Sequence, residues 1–198
     1  MTKQPREFVD KDHEVMDVYY DLCERYNGRN ATTIKKQLRG LIEKDPDFLD
    51  SYLLLHEILQ NEGKLEEAEA ALDQAFQRAI RLIADRKGQW PDELRWGWLE
   101  NRHIIRTIVN KAISLWGESK NDEALDLFRK ILRTNPNDNP CVRYLILGIR
   151  MGMGYSEFDK QFDRGGYWDL DIQQWFAQNR GNFPEEFDWW EKAIEEEE

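Results

Sequence analysis

From Leu49 onward, apolar and polar positions alternate with the period of a helix. Tyr52, Leu55 and Leu59 recur at three- and four-residue steps, Gly63 interrupts, and Ala68, Leu72 and Ala75 resume the step. This pattern predicts a helix, a tight turn, and a second helix packed back on the first. The preceding stretch repeats it. Val15, Val18, Leu22 and Tyr26 form one stripe, Asn27-Gly28 breaks it, a second amphipathic run goes from Ala31 to Lys44, and Pro46 closes it. Ile34 and Leu38 stand 34 residues before Ala68 and Leu72, so the two units are in register.

A third unit runs from about Ile105, with Ala124, Phe128 and Pro136 as its small, large and terminating residues. Ala68 and Ala124 are 56 residues apart, 22 more than the period, which places an insertion at about 84–104. The second helix of the second unit is expected to run on to about Arg86. Lys87 and Gly88 read as its last turn and stop, and Pro91 is expected to open the next helix early. A weaker fourth unit follows, with Val142, Leu145, Ile146 and Ile149 on one helix and Phe158 and Phe162 on a shorter one. Beyond Gly165-Gly166 come two more short helical patterns, with Pro184 near the start of the last. No segment reads as a strand, so the fold class is all-α. The organisation is a polar, frayed tail at 1–11, a helix-pair array at 12–163, and a helical, acidic end at 164–198.

Several residues give these units a family resemblance. Tyr52, Leu55, Leu59, Gly63, Ala68, Leu72 and Ala75 in the second unit, and Ile108, Ala112, Leu115, Ala124, Phe128, Ile131 and Pro136 in the third, resemble the tetratricopeptide repeat (TPR) family. The first unit matches more loosely through Val18, Leu22, Ile34, Leu38, Leu41 and Pro46. His56 departs from the pattern, which has a small residue there. The resemblance covers roughly residues 15–162 and implies an α-solenoid, a right-handed superhelix of antiparallel helix pairs. It also implies a concave groove lined by the first helix of each unit. Carried onto this chain, those positions are Met16, Tyr19, Cys23 and Tyr26; Asp50, Leu53, Glu57 and Gln60; Arg106, Val109, Ile113 and Trp116; and Pro140, Arg143, Leu147 and Arg150. Tyr19, Tyr26, Glu57, Arg106, Trp116, Arg143 and Arg150 are the expected partner-binding residues. One subclass of the family clamps a chaperone's C-terminal carboxylate with Lys and Asn, but here Tyr19, Cys23 and Leu54 hold those places, which argues against that role.

All eight tryptophans come after Gly88. Trp168, Trp175 and Trp190, with Phe176, Phe183 and Phe187, are expected to form an aromatic C-terminal cap over the last repeat. Trp90, Trp96 and Trp98 crowd the insertion, where they serve either as specificity residues or as packing anchors. The final EEEE is expected to be solvated.

Composition narrows the function classes. The chain has 198 residues, 40% of them hydrophobic, and a formal net charge of -11, which argues against nucleic-acid binding. Cys23 and Cys141 form no metal or redox spacing, and no run of 18 apolar residues occurs. A cytoplasmic protein with no membrane span is therefore expected. His13, His56 and His103 begin no catalytic or metal motif, and GIRMGMG lacks the strand and the Lys of a phosphate loop. No enzyme, cofactor or metal is predicted. The expectation is an adaptor that binds a peptide or helix of a protein partner in the groove. The alternative is a structural scaffold acting through homo-oligomerisation, as a homodimer.

Overall fold

The computed structural model describes residues 4–165 and 167–195. It is all-helical. Among the described residues there are ten α-helices and no strand, only the isolated bridges Glu7–Glu93 and Asp163–Trp168. The helices are α1 (Met16–Arg25), α2 (Ala31–Lys44), α3 (Asp50–Asn61), α4 (Leu65–Ile83), α5 (Arg102–Gly117), α6 (Asn121–Thr134), α7 (Val142–Arg150), α8 (Tyr155–Phe162), α9 (Asp171–Asn179) and α10 (Pro184–Glu195). None of the described helices is long and apolar enough to cross a membrane. The chain forms two compact units, Met1–Lys111 and Ala112–Glu198, with the division inside α5.

In the first unit α2 and α4 pack on α3. Leu22, Ile34, Leu38, Ile58, Leu59 and Leu72 are fully buried. Ala68, Ala71 and Ala75 are buried as well, and their short side chains let the α4 backbone approach α3 closely. The α3–α4 turn needs its glycine: Gly63 sits at φ 75°, and its N–H donates to Gln60 O at 2.9 Å while Lys64 N–H donates to Leu59 O at 2.9 Å. His56, the residue that departs from the small-residue pattern, is buried and donates from Nδ1 to Ala68 O at 3.0 Å, tying α3 to the start of α4.

The insertion differs from its expectation. α4 ends at Ile83, residues 84–98 are irregular, and α5 begins at Arg102 after a 3-10 turn at Leu99–Asn101, so no helix opens at Pro91. The cause lies at the other end of the unit. The N–H groups of Asp92 and Glu93 donate to Arg6 O at 2.9 and 3.2 Å, and Phe8 N–H donates to Glu93 O at 2.9 Å. Buried Asn101 completes the pairing: its Oδ1 accepts from Asp10 N–H at 3.0 Å and its Nδ2 donates to Phe8 O at 2.8 Å. The Glu93 carbonyl, which a helix opening at Pro91 would use to accept from the N–H four residues on, is thus committed to the segment 6–10. That segment is a strap over the insertion rather than the frayed end expected of 1–11; residues 1–3 lie outside the described residues.

In the second unit α6 packs against α7, and α7 against α8 and α9. Asp138 starts α7 by accepting from Val142 N–H at 2.7 Å and Arg143 N–H at 3.1 Å. Gly148 lies where α7 meets two rings. A Cβ there would stand 2.7 Å from Phe158 Cδ2 and 2.8 Å from Trp116 Cη2. The tail's rings are packed: Trp175 lies 4.9 Å from Phe162, and Phe176 lies 5.4 Å from Tyr144 and 5.0 Å from Phe187. Trp190 donates to Pro136 O at 2.8 Å. The last three residues of the EEEE run lie outside the described residues.

Candidate functional site

The first unit contains an open cavity of about 490 Å³ whose walls come from α1, α3 and α5. Helical periodicity supplies each wall. Tyr19, Cys23 and Tyr26 share one side of α1, Asp50, Leu53, Glu57 and Gln60 one side of α3, and Arg106 and Asn110 one side of α5. Of the eleven lining residues, eight are positions that the resemblance placed in a groove. Leu54, His56 and Asn110 are the additions, and Asn110 stands one turn beyond Arg106.

The charges in this cavity divide into one paired set and one open group. Asp50, buried in the first turn of α3, accepts from Arg106 Nε at 3.0 Å and from Arg106 Nη2. Its carboxylate also sits at the favourable end of the α3 dipole. Burial works against the Arg106 charge, but the Asp50 hydrogen bonds and charge hold its pKa above the ordinary value. Burial pushes the Tyr19 hydroxyl far up, and the Asp50 charge adds to the shift. Burial likewise raises the Cys23 thiol, with the Asp50 and Glu57 charges contributing. Glu57 is exposed, and no ion-pair or hydrogen-bond partner for its carboxylate occurs among the described residues. The cavity lining is therefore net acidic, since Asp50 and Arg106 cancel and Glu57 remains.

The insertion reaches this side of the unit. Trp96 lies under two guanidinium groups, 5.3 Å from Arg102 and 5.7 Å from Arg106. Trp98 is partly exposed and donates from Nε1 to Glu7 at 2.8 Å. A second opening, of about 350 Å³, lies among α2, α3 and α4 over Tyr52, Leu55 and Leu59. Its rim carries Glu43 and the pair Arg39 and Glu67, 3.9 Å apart.

The other three expected residues fall in the second unit, which holds each of them in its own packing. Trp116 is 2% exposed; its Nε1 donates to Met153 O at 3.0 Å and its ring lies 5.3 Å from Phe158. Arg143 donates to buried Asp138 at 2.8 Å and stacks 4.2 Å from Tyr144 and 5.4 Å from Trp190. Arg150 donates to Glu185 at 2.5 Å and packs 5.0 Å from Phe183. Tyr19, Tyr26, Glu57 and Arg106 are brought together; Trp116, Arg143 and Arg150 are not part of that cavity's lining.

A cluster that sequence reasoning missed lies beside Phe48. One ligand-type atom each of Asp10, His13 and His103 falls within 4.8 Å of the others, and both histidines are buried. The residue types suit a metal such as zinc, but the hydrogen bonds fit protons. Leu49 N–H donates to His103 Nδ1 at 3.1 Å, so Nε2 must carry the proton that Asp10 Oδ2 accepts at 3.0 Å. His13 faces carboxylates with both nitrogens, Asp45 at 2.7 Å and Asp10 at 3.2 Å, the pattern of an imidazolium. Burial opposes the His13 charge, yet the bonds to Asp10 and Asp45 raise its pKa. Burial also opposes the Asp10 charge, and the bonds from His103 and His13 outweigh it and hold Asp10 well below the ordinary carboxylate range. This network fastens the strap to the ends of α2 and α5. No sequence signal joins residues 93 positions apart.

Compared with known proteins, the chain matches no family model, no curated protein and no solved structure.

Proposed function

We propose that this chain is a protein-interaction adaptor with a TPR-like arrangement of helix pairs, and that it holds a peptide or helix of a partner in the cavity among α1, α3 and α5. One observation carries the reading. Eight of the sixteen positions that the repeat register aims at a groove surround an open cavity in the first unit, with aromatic, apolar and charged side chains mixed along its walls. The volume lies within the range of binding sites.

The test is position-specific photo-crosslinking of the full chain. A photoreactive residue at Gln60, in the cavity, is compared with one at Glu66, exposed on α4, in native lysate with size measurement by light scattering. Crosslinks to a partner protein from position 60 that Tyr26→Ala abolishes are expected. Crosslinks of position 60 only to a second copy, with a dimer that Tyr26→Ala dissolves, would transfer the function to self-assembly.

A further inference from the structure

The adaptor reading leaves open what chemistry the cavity selects, and its charge arrangement points to an answer. α3 carries two charged groups, Asp50 and Glu57, and no cation. Asp50 is neutralised from the far wall by Arg106, which fixes both side chains and removes Arg106 as an anion receptor. Each of the other first-unit cations of α5 has a place outside the cavity. Lys111 pairs with Asp73 at 2.7 Å, and Arg102 donates to Trp96 O at 3.1 Å. Glu57 is left as the one unmatched charge among the cavity residues, opposite the half-buried ring of Tyr26 and beside Leu53. The α1 edge adds to the sign: Asp17, Asp21 and Glu24 recur at four- and three-residue steps and are all exposed, with Tyr20 exposed on the same edge. The half-buried Cys23 thiol is raised by burial first, with the Asp50 and Glu57 charges adding in the same direction.

We propose that the cavity takes a cationic side chain, Lys or Arg, of the partner segment, with the Glu57 carboxylate as its counter-ion and the Tyr26 ring alongside it. The proposal rests on the adaptor reading above. An unpaired carboxylate next to aromatic faces suits a long basic side chain in two ways: the charge meets the head group, and the rings cover its aliphatic stem. An acidic or C-terminal carboxylate ligand would instead face Glu57, with the Arg106 guanidinium already bidentate to Asp50.

The experiment uses the full chain and two immobilised dodecapeptide pools of equal hydrophobic content, one containing Lys and Arg, the other Asp and Glu. Selected peptides are then titrated by fluorescence anisotropy. Because the whole chain is acidic, a charge-matched control is essential: Glu57→Gln is compared with Glu66→Gln, which removes the same charge from the exposed side of α4. The expected result is selection from the basic pool. Glu57→Gln then weakens it about tenfold or more, the scale of a hydrogen bond to a charged group, and Glu66→Gln by less than about twofold, as a remote charge in salt should. Equal weakening by both variants would overturn the proposal, because it would show attraction to net charge alone. Selection from the acidic pool that Tyr26→Ala abolishes would overturn the charge class and leave the adaptor reading in place. Selection that neither Tyr26→Ala nor Glu57→Gln alters would remove both.

Discussion

Residues at matching register positions meet different ends in the two units. In Met1–Lys111, Tyr19, Tyr26, Glu57 and Arg106 surround an opening; in Ala112–Glu198, Trp116, Arg143 and Arg150 are covered or engaged. The helical period treats all seven alike. They differ in what later segments bring next to them. Phe158 and Met153 close over Trp116, Asp138 and Trp190 hold Arg143, and Glu185 takes Arg150. Among the described residues no ion pair or hydrogen bond engages the Glu57 carboxylate. Register fixes the side of a helix on which a residue stands, while the openness of that side depends on chain far away in sequence.

The largest test of this contrast is removal of a ring from each region. Trp116→Ala empties a closed site and should cost about 3–5 kcal/mol, enough to threaten folding of a domain with ordinary stability. Tyr26→Ala, at a half-buried position beside open space, should cost far less. Urea melts of both variants measure the difference, and similar losses would mean that the cavity wall is as much a part of the core as Trp116.

Gly148→Ala comes next. Alanine favours a helix over glycine by roughly 1 kcal/mol, which taken alone predicts stabilisation. The added Cβ would meet Phe158 and Trp116 ring atoms at 2.7 and 2.8 Å, and both rings are buried and mutually packed. Overpacking at roughly 1–3 kcal/mol should therefore win, giving a lower melting temperature. Gly117→Ala, where a Cβ meets nothing within 4 Å, is the control.

These cases show what could be read from the sequence. Helix pairs in phase, the Gly63 turn and a last helix beginning near Pro184 follow from local periodicity and turn chemistry, and the structure has helices and turn there. In the insertion, Pro91 is a good helix starter locally, but the Glu93 carbonyl that such a helix needs accepts instead from the distant Phe8 N–H. The His13 network was invisible for the same reason. Of the cavity, the sidedness of Tyr19, Glu57 and Arg106 was legible; the mutual cancellation of Asp50 and Arg106 was not, because it depends on the distance between α3 and α5.

A smaller effect than either substitution is expected from pH, and it acts on the strap of the first unit alone. His13 has a raised folded pKa, so its contribution is fully present below the ordinary histidine value of about 6.5 and is lost as pH rises through the higher folded value. Asp10 and Asp45 have lowered folded pKa values, so their contribution is present above about 3.8 and is lost as pH falls below it. The stability difference between wild type and His13→Gln should thus be greatest between about pH 4 and 6.5 and shrink on either side. A difference that stays flat from pH 5 to 9 would mean that His13 is neutral and the network uncharged.

The smallest expected effect on stability belongs to Glu57→Gln, and its smallness is the point. Glu57 is exposed and without an ion-pair partner among the described residues, so its loss removes no native bond and should change stability by no more than about 0.5 kcal/mol. Arg143→Gln gives the opposite case. It strips Asp138, a fully covered carboxylate, of its guanidinium, and leaving a buried charge unpaired costs on the order of 3–5 kcal/mol. Chemical denaturation at one pH measures both. A charged residue that contributes nothing to its own fold, at the wall of an open cavity, is free to act on a ligand; one that holds a buried acid in place is not. If Glu57→Gln proved as costly as Arg143→Gln, Glu57 would have a structural partner and the distinction between the two units would fail.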